Sequence, residues 1–136
     1  MFPGGRIEPG EAPHVAALRE ITEEVGLGVA LADLSDLPRW SHHGNSRLPH
    51  PIAIIEERLP DGHFPDRFYV DIVYVGLALD ACFSLRGEVR EAGWFDRRAL
   101  FELQTSFPVQ EMAARVFDRL RDLRGCIADR GNGRPG

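Results

Sequence analysis

Residues 5–27 read GRIEPGEAPHVAALREITEEVGL, and a helical period runs through the second half of this stretch. Pro13 suits the first turn of that helix, and Gly26 suits the position just after its last turn. The sequence therefore predicts a helix over residues 12–25.

The two sides of this predicted helix differ in chemistry. At about 100° per residue, apolar side chains fall on one side and carboxylates on the other. The apolar side carries Leu18, Ile21 and Val25, and the other side carries Glu20, Glu23 and Glu24. Carboxylates at i, i+3 and i+4 repel one another, and a hard divalent cation such as Mg²⁺ would relieve that repulsion. Taken alone, however, three glutamates favour a solvated acidic face.

The wider stretch resembles the Nudix box, Gly-x5-Glu-x7-Arg-Glu-U-x-Glu-Glu-x-Gly-U, where U is a bulky aliphatic residue. Every specified position matches: Gly5, Glu11, Arg19, Glu20, Ile21, Glu23, Glu24, Gly26 and Leu27. The resemblance implies a hydrolase of phosphoanhydride bonds in nucleoside diphosphates linked to another moiety, such as NTPs or nucleotide sugars. It also implies Mg²⁺ as cofactor, with Mn²⁺ as a substitute. The implied fold is of the α+β class, an α/β/α sandwich with a mixed sheet.

The resemblance also implies roles for residues of the box. The metal ligands would be the carbonyl of Gly4 and the carboxylates of Glu23 and Glu24, with Glu20 as a further ligand or as the residue that orients water. Glu11 and Arg19 would brace the loop on the helix through charge-assisted hydrogen bonds.

A further ligand in similar proteins comes from a loop before a late tryptophan. Glu88, six residues before Trp94, is the first choice and Glu91 the second, although a solvated loop residue is an equal alternative for Glu88. Either Glu88 or Glu20 would accept the proton of the attacking water. The predicted catalytic set is therefore Glu20, Glu23, Glu24 and Glu88, and Glu88 also joins the predicted metal ligands.

Four residues are candidates for substrate contact: Arg6, His42, His43 and Asp71. The histidine pair could contact a phosphate or a base, but an ordinary solvated loop pair is the favoured alternative. Asp71 lies in an apolar strand pattern, where it either faces solvent by alternation or points into the substrate cleft. Four aromatic side chains could stack on a base, and core packing explains them at least as well: Trp40, Phe68, Tyr69 and Tyr74.

The rest of the chain alternates between strand patterns, a loop and helices. Val29–Leu34 predicts a short strand, and the Pro-, Ser-, His- and Gly-rich stretch from Asp36 to Pro51 predicts a loop. The segments Ile52–Leu59 and Phe68–Leu79 predict an antiparallel hairpin with a long connection, which opens with a turn signal at Pro60-Asp61-Gly62. Further elements are a strand at Glu91–Asp96, a helical turn near Arg97–Leu103 and an amphipathic helix from Pro108 to Leu123.

The predicted domain covers residues 1–124, and residues 125–136 are predicted to form a flexible tail. Proteins that resemble this one carry several strands before the box, whereas here the box begins almost at Met1. Because a sheet without those strands exposes an edge, we expect either a homodimer or a chain of lower stability.

Composition narrows the classes of function. A net charge of −5 argues against non-specific binding of nucleic acids or anionic membranes, and there is no apolar run long enough for a membrane span. With two scattered cysteines and no signal-peptide pattern, a cytoplasmic location is expected. The alternative to the enzyme is a non-catalytic module of the same fold that binds a nucleotide or a protein.

Overall fold

A computed structural model describes the backbone of residues 2–35, 38, 40–58 and 68–131, and the side chains of these residues other than 58 and 122–131. The chain divides into two units, one spanning Phe2–Ala92 and the other comprising the residues from Gly93 onward. The box and its helix lie in the first unit. None of the described helices has the length and apolarity needed to cross a bilayer.

The helix of the box, α1, runs from Pro13 to Val25, as the sequence predicts. Two residues of this helix, Ala16 and Val25, are buried, together with Leu27 just beyond it, and these form much of the small core of the first unit. Leu18 and Ile21, on the predicted apolar side, are half-buried. The helix contacts strand β1, Val29–Ala32, which follows it directly in the chain. The predicted strand at Val29–Leu34 is confirmed, two residues shorter than expected.

The long strand pattern at Phe68–Leu79 splits into two strands. Strand β5 is Phe68–Val73, and strand β6 is Val75–Ala78. Strand β6 pairs antiparallel with β1, with Val29 opposite Ala78. Strand β5 pairs antiparallel with β4, Ala53–Arg58, with Ile55 opposite Asp71, and this confirms the predicted hairpin. The expected turn at residues 60–62 lies outside the described residues.

The stretch 36–51 was expected to be a loop, and its described part contains a small hairpin instead. Strand β2, Ser41–His42, pairs antiparallel with strand β3, Asn45–Ser46. The two residues between them, His43 and Gly44, have φ angles of 48° and 78°. Two positive φ angles are what a type I′ turn requires, so the glycine closes a turn that composition alone assigns to a loop.

The second unit is helical. Helix α2, Arg97–Glu102, begins at Asp96, whose carboxylate accepts a hydrogen bond from the Ala99 amide at 2.8 Å. The strand predicted at Glu91–Asp96 is wrong, because these residues form no strand and Trp94 is 58% exposed. Aromatic strand propensity reflects packing against neighbouring strands, and none of the described strands pairs with this segment.

Helix α3 runs from Phe107 to Gly131, so it begins one residue before Pro108. It also continues through Gly125, where the flexible tail was expected to start, and the domain boundary at residue 124 stays a prediction. Met112 of α3 is buried, and Asp118 forms an ion pair with Arg97 of α2. The described helices and strands together confirm an α+β fold. All described strand pairs are antiparallel, whereas the expected sheet was mixed.

Candidate active site

The last turn of α1 is fixed by the residue that ends it. Gly26 adopts a φ of 69°, and its amide donates to the Thr22 carbonyl at 3.1 Å. A Cβ on Gly26 would lie 2.6 Å from Cβ of Ser84 and 2.9 Å from its carbonyl oxygen. Glycine is therefore required both by the left-handed conformation and by the close approach of the Ser84 backbone. This is the turn that carries Glu23 and Glu24.

Arg19 joins the loop of the box to the acidic face of α1. Its Nε and Nη2 donate to the two carboxylate oxygens of Glu11 at 2.9 and 3.0 Å, the bidentate geometry that makes such pairs strong. Its Nη2 also donates to the Arg6 carbonyl at 3.0 Å. Its Nη1 donates to Glu20 at 2.7 Å and to Glu23 at 3.1 Å.

The electrostatics of this cluster follow from those contacts. The Arg19 guanidinium and, less strongly, the Glu8 amide hold the pKa of Glu11 below its usual value. The hydrogen bonds to Glu11 and Glu20 raise the pKa of Arg19. These contacts are the ones that a bracing role for Glu11 and Arg19 requires, and that role stays a prediction.

The glycines before the box lie against the glutamates of the helix. The Gly4 amide donates to Oε2 of Glu24 at 3.1 Å, which holds the Gly4 peptide beside that carboxylate. A Cβ on Gly5 would lie 2.3 Å from Cδ and Oε1 of Glu20, so a side chain at this position would collide with the carboxylate. The structure therefore brings Gly4 and Gly5 together with Glu20 and Glu24.

The donor chemistry of this site fits a hard divalent cation, since it consists of carboxylate oxygens and glycine backbone. Glu20 is largely covered, with 15% of its side chain exposed, whereas Glu23 is 60% exposed and open to solvent. Within the described residues, no three His, Cys, Asp or Glu side chains converge as a metal cluster. In this arrangement Glu20 and Glu23 are held by Arg19 instead.

Glu88 lies on a turn that is hydrogen-bonded to the end of α1. The Ser84 amide donates to the Val25 carbonyl at 2.8 Å, and the Arg86 amide donates to the Glu24 carbonyl at 2.9 Å. Gly87, with a φ of 63°, then turns the chain. These bonds satisfy carbonyls that the helix end would otherwise leave unpaired. Glu88 is exposed two residues after the anchored Arg86.

The second choice of outer metal ligand and the four predicted substrate residues are all exposed. Glu91 and Arg6 are exposed, and His42 and His43 are exposed on the small hairpin with ring centroids 3.9 Å apart. Asp71 is exposed on β5. None of the hydrogen bonds given above joins one of these side chains to a glutamate of the box.

One partly buried polar cluster was not predicted from the sequence. Asp33 forms an ion pair with Arg47, and only 6% and 14% of their side chains are exposed. The Ser35 hydroxyl donates to Asp33 at 2.6 Å, and Arg47 also donates to the Pro38 carbonyl at 3.0 Å. The Ser35 hydroxyl first, and then the Ser35 amide and Arg47, lower the pKa of Asp33 to about 2. No sequence spacing connects residues 33 and 47, and Arg47 is one of two arginines in the polar stretch, so the sequence did not single it out.

Comparison with known proteins agrees with this geometry. A family model for the NUDIX domain matches residues 1–118. The 8-oxo-dGTP diphosphatase of Proteus vulgaris is 49% identical over 35 residues, which are 26% of this chain and 31% of that protein. The matched segment thus spans less than a third of that relative.

A solved structure agrees over a larger share of the chain. The crystal structure of a NUDIX-family hydrolase from Clostridium perfringens superposes with a TM-score of 0.61 at 25% identity, covering 84% of this chain and 76% of that one. The predicted α+β Nudix-like fold is confirmed by this match. With the family model matching most of its length, the chain belongs to the NUDIX family.

Proposed function

We propose that this chain is a pyrophosphohydrolase that splits a phosphoanhydride bond in a nucleoside diphosphate linked to another moiety. The observation that carries the proposal is the convergence of Gly4, Gly5, Glu20 and Glu24 in a chain with an intact box. The names of the two relatives, a diphosphatase and a hydrolase, support the reaction type. Because the diphosphatase matches over only 35 residues, it carries no argument for a particular base.

The proposed cofactor is Mg²⁺, with Mn²⁺ as a substitute. The residues that would hold it are Glu20, Glu23 and Glu24, together with the Gly4 carbonyl and Glu88. When bound, the cation supplies positive charge to the diphosphate oxygens, which carry most of the charge in phosphoryl transfer.

The protein residues would position water and accept its proton. Glu20 is held between Gly5 and Arg19, so its carboxylate has a fixed orientation suited to directing a water molecule. Glu88 lies on the anchored turn after Arg86 and, being exposed, can accept a proton and release it to solvent. Arg19 and Glu11 would keep the loop of the box in place while substrate exchanges.

One observation favours a second candidate, a module that binds nucleotide without hydrolysing it. Arg19 already holds Glu20 and Glu23, and the described residues show no assembled cluster of three metal-binding side chains. A binding module would need no rearrangement of these contacts, whereas an enzyme has to turn at least Glu23 toward a cation.

A panel assay distinguishes the two candidates. Nucleotide sugars, NTPs, dinucleotides and coenzyme A are incubated with Mg²⁺, with Mn²⁺ or with EDTA, and substrates and products are separated and quantified by anion-exchange chromatography. We expect metal-dependent turnover of at least one compound and none by Glu24→Gln. Tight nucleotide binding in calorimetry without product after long incubation would support the binding module instead. The homodimer and the cytoplasmic location stay predictions.

A further inference from the structure

The Arg19 guanidinium uses all of its N–H groups. An arginine has five N–H donors, and five acceptor atoms lie between 2.7 and 3.1 Å from the nitrogens of Arg19. Three of these bonds go to the loop of the box, two of them to Glu11 and one to the Arg6 carbonyl. The other two, both from Nη1, go to Glu20 and Glu23 on the acidic face of α1. One cation therefore joins the loop to two of the proposed metal ligands.

The bonds on the loop side are the firmer ones. Nε and Nη2 form a bidentate pair with Glu11, whose side chain is only 13% exposed, and bidentate pairs are the stronger kind. The Arg6 carbonyl also accepts from Nη2, so the backbone of the loop holds the same guanidinium. Because none of these three bonds involves the acidic face, they can persist when a contact to that face is broken.

The two bonds of Nη1 differ in how easily they break. Glu20 accepts at 2.7 Å, is 15% exposed and adjoins Gly5 so closely that a Cβ there would lie 2.3 Å from its carboxylate. Glu23 accepts at 3.1 Å and is 60% exposed. Exposed ion pairs of this i, i+4 kind contribute little to stability. Glu23 is therefore the carboxylate that can leave Arg19 at low cost.

Nη1 provides positive charge where the acidic face needs it. Carboxylates three and four residues apart on a helix repel one another, and a cation between them relieves the repulsion. Arg19 supplies that cation to Glu20 and Glu23, whereas Glu24 accepts from the Gly4 amide. A divalent cation that binds Glu23 and Glu24 thus has to compete with Arg19 for Glu23.

We propose that Arg19 is an internal stand-in for the divalent cation and holds Glu23 while no metal is bound. When the cation binds, Glu23 moves from Nη1 to the metal, and Arg19 stays on Glu11 and the Arg6 carbonyl. The inference rests on the proposed function for the presence of a cation at Glu23 and Glu24. It adds that Arg19 sets the metal affinity, because an internal competitor raises the apparent Kd of a ligand.

Nuclear magnetic resonance tests the exchange in the whole chain without any substrate. The side-chain N–H signals of Arg19 are assigned with Arg19→Lys, and they are followed while MgCl₂ replaces NaCl at constant ionic strength and pH. We expect Mg²⁺ to shift or broaden the Nη1–H signals, which lose Glu23, and to leave the Nε–H signal, which keeps Glu11. Glu23→Gln is the matched control, and in this variant the same Mg²⁺ concentrations should leave both kinds of signal unchanged.

Metal affinity provides a second test, in which competition and bracing predict opposite signs. Electron paramagnetic resonance of free Mn²⁺ gives the Kd of each variant without substrate. We expect Arg19→Met to bind Mn²⁺ roughly five- to tenfold more tightly, because it removes both the competing ion pair and the repulsion between the guanidinium and the divalent cation. A residue that only braced the loop would give weaker binding when replaced, since the loop would lose its anchor.

Arg6→Met is the control for charge. It removes one positive charge from an exposed side chain of the same loop and leaves the Arg6 carbonyl in place, so we expect it to change the Kd for Mn²⁺ less than about two-fold. Circular dichroism melts check that each variant is folded. If Arg19→Met does not fold, the Mg²⁺ titration of the wild type still decides the question.

The outcomes separate this inference from the proposed function. Exchange of Glu23 without turnover in the panel assay would support the exchange and overturn only the enzyme. The exchange alone would be overturned if Mg²⁺ raised the melting temperature but left the Nη1–H signals unchanged, or if folded Arg19→Met bound Mn²⁺ no more tightly than the wild type. Loss of the Nε–H signal together with the Nη1–H signals would also overturn it, because Arg19 would then have left Glu11.

Discussion

A methyl group on Gly5 would lie 2.3 Å from Cδ and Oε1 of Glu20, so the glycine backbone and the glutamate carboxylate adjoin without room for a side chain between them. This contact explains physically why a glycine suits the first position of the box. It also connects a loop residue to the acidic face of α1, fifteen residues further along the chain.

Gly5→Ala is expected to displace the Glu20 carboxylate while leaving the fold intact, because the far end of a glutamate can move. Since displacements of about 1 Å in a catalytic site can reduce the rate roughly 10²-fold, we expect kcat to fall on that order. Gly4→Ala keeps the Gly4 carbonyl and meets no atom within 4 Å, so it should retain more activity. Equal kcat values for wild type and Gly5→Ala would argue against a role for the Glu20 position.

Replacing Glu23 or Glu24 by glutamine removes a negative charge and keeps the shape. We expect kcat to fall by orders of magnitude with little change in melting temperature, because neither side chain lies in the apolar core and exposed ion pairs contribute little. Glu56→Gln, the same change on an exposed strand residue, is the control. Near-wild-type turnover of Glu24→Gln at saturating Mg²⁺ would rule out the role proposed for Glu24.

Metal binding should be detectable without any substrate, as a rise in the melting temperature. A cation that binds only the folded chain stabilises it, by about 2.7 kcal/mol at 100 times its Kd. We therefore expect Mg²⁺ or Mn²⁺ to raise the melting temperature of the wild type and to raise that of Glu24→Gln much less. If both proteins respond equally, the cation binds somewhere other than at Glu24.

Gly26→Ala is expected to lower the free energy of unfolding more than Gly10→Ala does. Both glycines have a positive φ, at 69° and 81°, so both substitutions incur a left-handed penalty of roughly 1–2 kcal/mol. Only at Gly26 would the new Cβ also meet the backbone of Ser84, whereas nothing lies within 4 Å of Gly10. Urea denaturation of the two variants measures the difference, and equal values would show that the Ser84 segment yields freely.

Stability should depend on pH through Asp33 in the acid range. Its pKa in the folded chain is lowered from 3.8 to about 2, chiefly by the Ser35 hydroxyl, so the folded state favours the charged carboxylate. The resulting stability is present above pH 3.8 and is lost as the pH falls toward 2. We expect Ser35→Ala to reduce this loss, measured as the difference in free energy of unfolding between pH 5 and pH 3. An unchanged difference would contradict the assigned hydrogen bond.

The helix of the box could be predicted to within one residue because its determinants are local. Period, a proline in the first turn and a glycine after the last turn all lie within one short segment, and they fix Pro13–Val25. The facing of Glu20, Glu23 and Glu24 away from Val25 follows from the same geometry. The hairpin of β4 and β5 was predictable for a related reason, since β-branched residues and a turn signal lie in adjacent segments.

The wrong predictions of secondary structure fall in two segments where amino-acid propensity did not decide the backbone conformation. The aromatic segment at Glu91–Asp96 has the composition of a strand, but Asp96 instead begins α2 as its N-cap. The Asp36–Pro51 stretch has the composition of a loop, yet His43 and Gly44 close a two-residue turn there. In both segments, hydrogen bonds and turn geometry decided the secondary structure, and the propensities of the residues did not.

The sequence by itself determined the helix of the box, the order of its acidic residues and the family to which the chain belongs. Tertiary structure alone decided that the Ser84 and Arg86 amides bind the last carbonyls of α1, and that Asp33 pairs with Arg47. The physical reason is distance along the chain. Spacing within one helix sets angles between side chains, whereas a hydrogen bond between residues 24 and 86 depends on the path of every residue between them.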